Sequence, residues 1–151
     1  MSTGRVAGLY IGPEFSEPMT GPPSIKAVEG RGIEGDRYFE REPSGDHDPT
    51  LEITLIELEA IESARSEYDI EFGPEDTRRN IVTKGIRLEE LLGKIFTVGE
   101  VQIEALERNP PCAHLVRLTE KKLLKPLIHR GGVRGRIVTT GTIKLGDPIT
   151  P

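Results

Sequence analysis

Cys112 is the only cysteine of the chain. It stands in ERNPPCAHLVR (107–117), behind Pro110 and Pro111 and two residues before His114. The two prolines stiffen the main chain ahead of the thiol. A sulfur so placed admits three chemistries. It can be a small buried apolar group. It can be a nucleophile, if neighbouring positive charge favours the thiolate; a pKa lowered from ~8.5 to ~6.5 raises the ionised fraction at neutral pH from about 3% to about 75%. It can also be a ligand for a soft metal. Zinc is poorly served, because Cys-x-His lacks a second ligand pair and only His47 and His129 remain. A Cys–His hydrolase would take His114 or His129 as base, and no third group is specified to orient it.

Positive charge is concentrated in two stretches without any acidic residue. TRRNIVTKGIR (77–87) carries Arg78, Arg79, Lys84 and Arg87, and LIHRGGVRGR (127–136) carries His129, Arg130, Arg134 and Arg136 among Gly131, Gly132 and Gly135. Arginine beside glycine suits an anion pocket, since glycine leaves backbone N–H groups approachable and guanidinium forks onto phosphate oxygens. The competing reading is a solvated surface on which these arginines balance carboxylates. Arg79 and Arg130 are the candidates for the anion role, while Arg87, just before Leu88-Glu89-Glu90, reads as an exposed helix residue. Asp36, after Gly35, either orients an arginine or shapes a turn.

The rest of the composition narrows the field. A net charge of −5 disfavours broad nucleic-acid binding, and 5% aromatic residues with no Trp leave few stacking platforms. No apolar run reaches the ~18 residues that cross a bilayer, and no signal peptide is expected. A single cysteine makes no intrachain disulfide, which fits a cytoplasmic location.

These side chains need elements to hold them. Residues 5–11 alternate with Ala7, Leu9 and Ile11 on one side and read as a strand, followed by a Gly/Pro-rich loop and the short strand SIKAVEG. GRGIEGDRY (30–38) and residues 40–50 read as loops. LEITLI (51–56) is a strand, and Thr54 with Glu57 fits a capping box for a helix running to about Tyr68. A short strand is expected around Asn80–Thr83, then a helical turn in RLEELLGK stopped by Gly93. Residues 94–108 read as two strands about a turn at Gly99-Glu100. A helix from Thr119 through Leu124, broken at Pro126, and a closing hairpin over 132–150 with Gly141 near the bend complete the chain. With 17 glycines and 12 prolines among 151 residues, many short elements are expected. The fold predicted is mainly β: a compact, mostly antiparallel β-barrel with two or three short peripheral helices, forming one domain over 1–151.

The order GRGIEGDRY, RRNIVTKGI, LLGKIFTVGEVQIEALERNPPC, HRGGVRGRIVTTGTIKLGDPI resembles the MOSC domain, named for the C-terminal domain of molybdenum cofactor sulfurases. The resemblance runs from Val6 to Ile149 and implies a small β-barrel that binds molybdenum cofactor. It implies Cys112 as the molybdenum ligand or as a persulfide carrier. It implies that Arg79-Asn80 and Arg130-Gly131-Gly132, with Arg134, hold the pterin and its phosphate. The Gly35-Asp36-Arg37 turn matches a family motif, and Tyr38 stands where relatives often have His. The chain lacks the aminotransferase-like part of full-length sulfurases, so no pyridoxal phosphate is expected. Implied partners are a cysteine desulfurase or cofactor-supplying protein, an electron donor, or a second copy in a homodimer. The implied function is a minimal molybdenum oxidoreductase or a cofactor and sulfur handler. The alternatives are a non-enzymatic sulfur relay and a binding module with a structural cysteine.

Overall fold

Alternating β-branched and small residues write most of the barrel. In the computed structural model, which describes residues 3–12, 19–36, 39, 48–110, 127 and 129–151, strand β7 (Val101–Arg108) turns Val101, Ile103 and Ala105 inward. It forms a hairpin with β6 (Ile95–Val98), pairing Val98 with Val101. Gly99 closes the turn at φ +59°, a conformation that glycine adopts without strain.

Among the described residues, ten strands build two sheets. Strands β1 (Gly4–Leu9), β4 (Ile53–Glu57), β5 (Ile81–Lys84), β8 (Val133–Ile137) and β10 (Pro148–Thr150) join β6 and β7 in a closed barrel, in the order β1-β10-β6-β7-β8-β4-β5. Strands β2 (Ser24–Val28), β3 (Gly32–Ile33) and β9 (Gly141–Lys144) form a three-stranded sheet beside it. Every ladder among the described residues is antiparallel except β4–β5, which is parallel. The helix α1 (Leu58–Tyr68) lies between those two strands in sequence and supplies the crossover that a parallel pair requires.

That helix explains why β4 is buried on both faces. Ile53 and Leu55 belong to the barrel core with Ile81, Phe96, Ile103 and Ile137. Ile56 faces the other way, into a second cluster with Ile61 and Ala64 of α1, Val82, Phe72 and Leu127. Each fully buried Ile or Leu contributes about 1.5–3 kcal/mol relative to exposure, so α1 is held chiefly by this cluster. Leu127 also pins the start of the HRGG loop under the helix.

Four sequence expectations shift. Val6 and Leu9 point inward in β1, and Ala7 does not, because a bulge between Val6 and Gly8 breaks the alternation. Thr54 lies within β4, and Glu57 is the residue before α1 with no side-chain cap bond, so no Thr54/Glu57 capping box forms. The GRGIEGDRY stretch contains β3. The C-terminal residues do not close on themselves as a hairpin. Instead β8 pairs with β4 and β7, β9 leaves for β2 through Ile25↔Ile143, and β10 returns between β1 and β6. One α-helix and three short 3₁₀ turns occur among the described residues. The expected helix at 119–124 lies outside them. No described helix is long and apolar enough to cross a membrane.

Candidate functional site

A cleft of about 600 Å³ opens where β4 gives way to α1 and where β7 ends beside the start of β8. Its size suits a small-molecule ligand. Three guanidinium groups line it, those of Arg87, Arg108 and Arg130, together with His129, the carboxyls of Glu57 and Glu89, and the backbone at Asn109–Pro110 and Gly131–Gly132. The chain as a whole carries −5, so a wall with more cations than anions is a local concentration of positive charge.

The charges are unequally engaged. Arg108 donates to Glu89, with Nε 2.9 Å from Oε1 and Nη2 on the same oxygen. That hydrogen bond, and the charge of Arg108, hold the Glu89 carboxyl below the usual carboxylate range. Arg130 pairs with Glu67 on the last turn of α1 and lies 5.9 Å from the Tyr68 ring. Arg87 makes no ion pair among the described residues.

Glu57 is half-buried at the α1 end of the cleft. Its Oε2 accepts the Leu88 N–H at 3.0 Å. Burial pushes its carboxyl up, against smaller downward effects of the Leu88 N–H and Arg87. The folded state therefore keeps a proton that the unfolded chain releases, so this group's contribution to stability falls as pH rises through the window between the two pKa values. Glu57→Gln retains an acceptor for the Leu88 N–H and removes the charge. Its urea midpoint should exceed that of wild type at neutral pH, and the gap should close as pH falls below the ordinary carboxylate range.

Arg79 lies behind the cleft. It is buried, with Nε donating to Gly131 O at 2.9 Å, Nη2 to Asn109 O at 2.8 Å and Nη1 to Thr77 O at 3.1 Å. Asn109 in turn donates its N–H to Gly132 O at 2.9 Å. One guanidinium thus ties the β5 entry, the end of β7 and the glycine loop together. The Asn109–Pro110 segment and the RGG motif are held against each other at the cleft rim.

Asn80 and Asp36 meet in a separate buried network. Asn80 Oδ1 accepts from the Thr54 N–H and hydroxyl, both at 3.0 Å, and its Nδ2 donates to Tyr10 O at 3.2 Å and to Asp36 Oδ1 at 3.4 Å. Asp36 Oδ1 also accepts the Gly12 N–H at 2.9 Å. These two residues fasten β1, β4 and the turn after β3, and neither lines the cleft.

The nominated residues therefore divide. Arg130, Gly131 and Gly132 line the cleft, and Arg79 braces it. Arg134 faces outward on β8 and pairs with Glu107 of β7, as Arg136 does with Glu104. Those two fit the balanced-surface reading. Cys112 and Arg37, like His114 and Tyr38, lie outside the described residues. The glycines have an internal cause: a Cβ at Gly131 would overlap Asn109 O, at Gly132 the Leu55 O, and at Gly135 the Glu104 O. Their bareness lets β8 and its loop press on β4 and β7, so it needs no ligand to explain it. Sequence reasoning missed Glu57, Glu89, Arg108 and Asn109, and it set Arg87 aside. For Arg108 and Asn109 a signal existed, since both adjoin the proline-cysteine motif.

Known proteins share this architecture. The YuaD protein from Bacillus subtilis superposes with a TM-score of 0.81 over 99% of this chain and 97% of its own, at 18% identity. YiiM from Geobacillus stearothermophilus does so with 0.71 over 97% and 74%, at 15% identity. YiiM from Escherichia coli gives 0.64 over 99% and 69%, at 18% identity. At such identities the likeness is one of fold. Among curated proteins, no sequence matches this chain. The sequence model of the MOSC domain matches residues 44–150. Barrel, motif order and matched span agree, and the chain belongs to the MOSC domain family, which is associated with binding of molybdenum cofactor.

Proposed function

We propose that this protein binds molybdenum cofactor in the cleft between α1, β7 and β8, with Cys112 as the thiolate ligand of the metal. The observation that carries the reading is the cleft itself. Cations surround it, and Pro110 stands on its rim, two residues before the only cysteine.

The donor set fits the group. A pterin monophosphate needs cations and N–H donors for its oxygens and an acceptor for its ring amines. Arg87 and His129 are exposed on the wall, Arg108 and Arg130 lie beside them, and Glu57 and Asn109 border the same space. Arg87 and His129 would meet the phosphate, each charge-assisted bond contributing about 1.5–3 kcal/mol where water is excluded. The same cations favour the Cys112 thiolate that a soft metal requires. When bound, the cofactor supplies two-electron redox chemistry at a thiolate-ligated metal. The protein's own part is to orient the ligand and to shield it.

The test is metal analysis of protein purified from cells supplied with molybdate. Wild type should carry near-stoichiometric molybdenum. Cys112→Ala and Cys112→Ser should lose it while keeping the wild-type melting temperature, and Arg87→Ala should retain less. Equal molybdenum in wild type and the Cys112 variants would refute the ligand role, and none in either would refute cofactor binding.

A further inference from the structure

Glu57 is an odd residue to find in a cleft built of arginines. Its Oε2 is fixed on the Leu88 N–H, whereas Oε1 receives no hydrogen bond among the described residues. The carboxyl borders the cleft beside Ala60, Arg87 and Leu88. Among the described residues, the charged groups around it are Glu59 from α1, Arg87 just before the turn Leu88–Leu91 and Glu89 within it, Arg108 from β7, and His129 and Arg130 from the loop before β8. Helix, turn and strand end fix its position, so it cannot swing out of the way of a bound anion without giving up the Leu88 bond.

An oxyanion drawn in by Arg87 then meets a fixed acceptor. If every oxygen of that anion is ionised, its lone pairs face those of Oε1 and repel them. If one oxygen carries a proton, that O–H donates to Oε1 and the clash becomes a charge-assisted hydrogen bond. We propose that Glu57 is the specificity-determining residue of the cleft, which selects an oxyanion that carries its own proton: hydrogen phosphate, or a phosphate monoester in its monoanionic form. The proposal rests on the anion-binding reading of the cleft and adds to it the form of anion that is taken.

Sulfate and phosphate separate the two ideas. They have nearly the same size and shape, but sulfate carries no proton at neutral pH. Calorimetric titration of the full chain with each should give at least ~10-fold tighter binding of phosphate to wild type. Glu57→Gln, whose amide can donate to either anion, should bring the two within about threefold, mainly by gaining sulfate. Arg87→Ala should weaken both alike. Without any variant, sulfate affinity in wild type should rise as pH falls and Glu57 takes up a proton. Glycerol phosphate should bind more weakly as pH rises past about 6, where its second proton leaves, and inorganic phosphate should change less; the tighter of the two below that pH, where both carry a proton, tells a monoester site from a free-phosphate site. Equal affinities in wild type, or a preference that survives in Glu57→Gln, would overturn the selection by Glu57 and leave the anion cleft standing. Failure of both anions to bind wild type would overturn the cleft reading and the selection together.

Discussion

Gly132→Ala should be the most damaging glycine-to-alanine change among the described residues, costing more than about 4 kcal/mol and lowering the melting temperature by roughly 10 °C or more. Two effects combine. The residue sits at φ +87°, where an L side chain is strained by about 1–2 kcal/mol. The added Cβ would also overlap the Leu55 carbonyl oxygen and come within 2.9 Å of Ile56 Cα. Both obstacles are backbone of β4, so no rotamer relieves them. The strand would have to move, and Leu55 and Ile56 are fully buried on opposite faces of it. A domain of this kind has about 5–15 kcal/mol in hand, so the variant should sit near its unfolding threshold. Gly30→Ala is the control. It has φ +72° and nothing within 4 Å of the added methyl, so it should lose only the ~1 kcal/mol of backbone strain. Thermal melts of the two variants side by side decide the matter. Equal melting temperatures would mean that β8 does not press on β4 as described.

The same loop shows what was legible beforehand. Local patterns were readable wherever one face decides: Val101, Ile103 and Ala105 alternate, Gly99 follows Val98, and the β6–β7 hairpin follows from those few residues. Pairings between distant segments were not. The stretch at 132–150 looks like a hairpin locally, but Ile143 finds its partner in Ile25 near the other end of the chain, and long-range burial outweighs a short turn. The bulge at Val6–Gly8 is a tertiary accommodation that no alternation rule anticipates. For the site, the clustering of Arg130, Gly131 and Gly132 was visible, yet the meaning of the glycines was not. Glycine permits close approach by a ligand or by the chain's own carbonyls, and the sequence does not say which. Arg87 and Glu57 were missed for a related reason. Each lies at the end of an element, and only the docking of the Leu88–Leu91 turn on the end of β4, through the Leu88 N–H on Glu57, brings them to one wall.

Arg79→Ala is the second large effect, and it separates bracing from ligand binding. The guanidinium satisfies buried carbonyls of Gly131 and Asn109 and the carbonyl of Thr77. Hydrogen bonds to a charged donor are worth about 1.5–3 kcal/mol each, and they do not add fully. Their loss leaves acceptors without donors in a place that water reaches poorly, so a total of about 3–5 kcal/mol is expected in urea unfolding. Arg79→Lys should recover little of it. A single ammonium cannot present a planar fork to three carbonyls that lie on three different segments. The consequences should extend to the cleft, because Asn109 and Gly131 are the joints by which the proline stem and the glycine loop are held together. In Arg79→Lys that still folds, phosphate should bind more weakly, and, on the proposal that Cys112 is the thiolate of the cleft, its alkylation should show an altered pH profile, since Asn109 is no longer tied to Gly131. If Arg79 were instead a direct ligand contact, its replacement would cut anion affinity with little loss of stability and an unchanged alkylation profile. The pairing of lost stability with an altered thiol is therefore what a brace predicts. A three-carbonyl anchor for one buried guanidinium makes that the expected result.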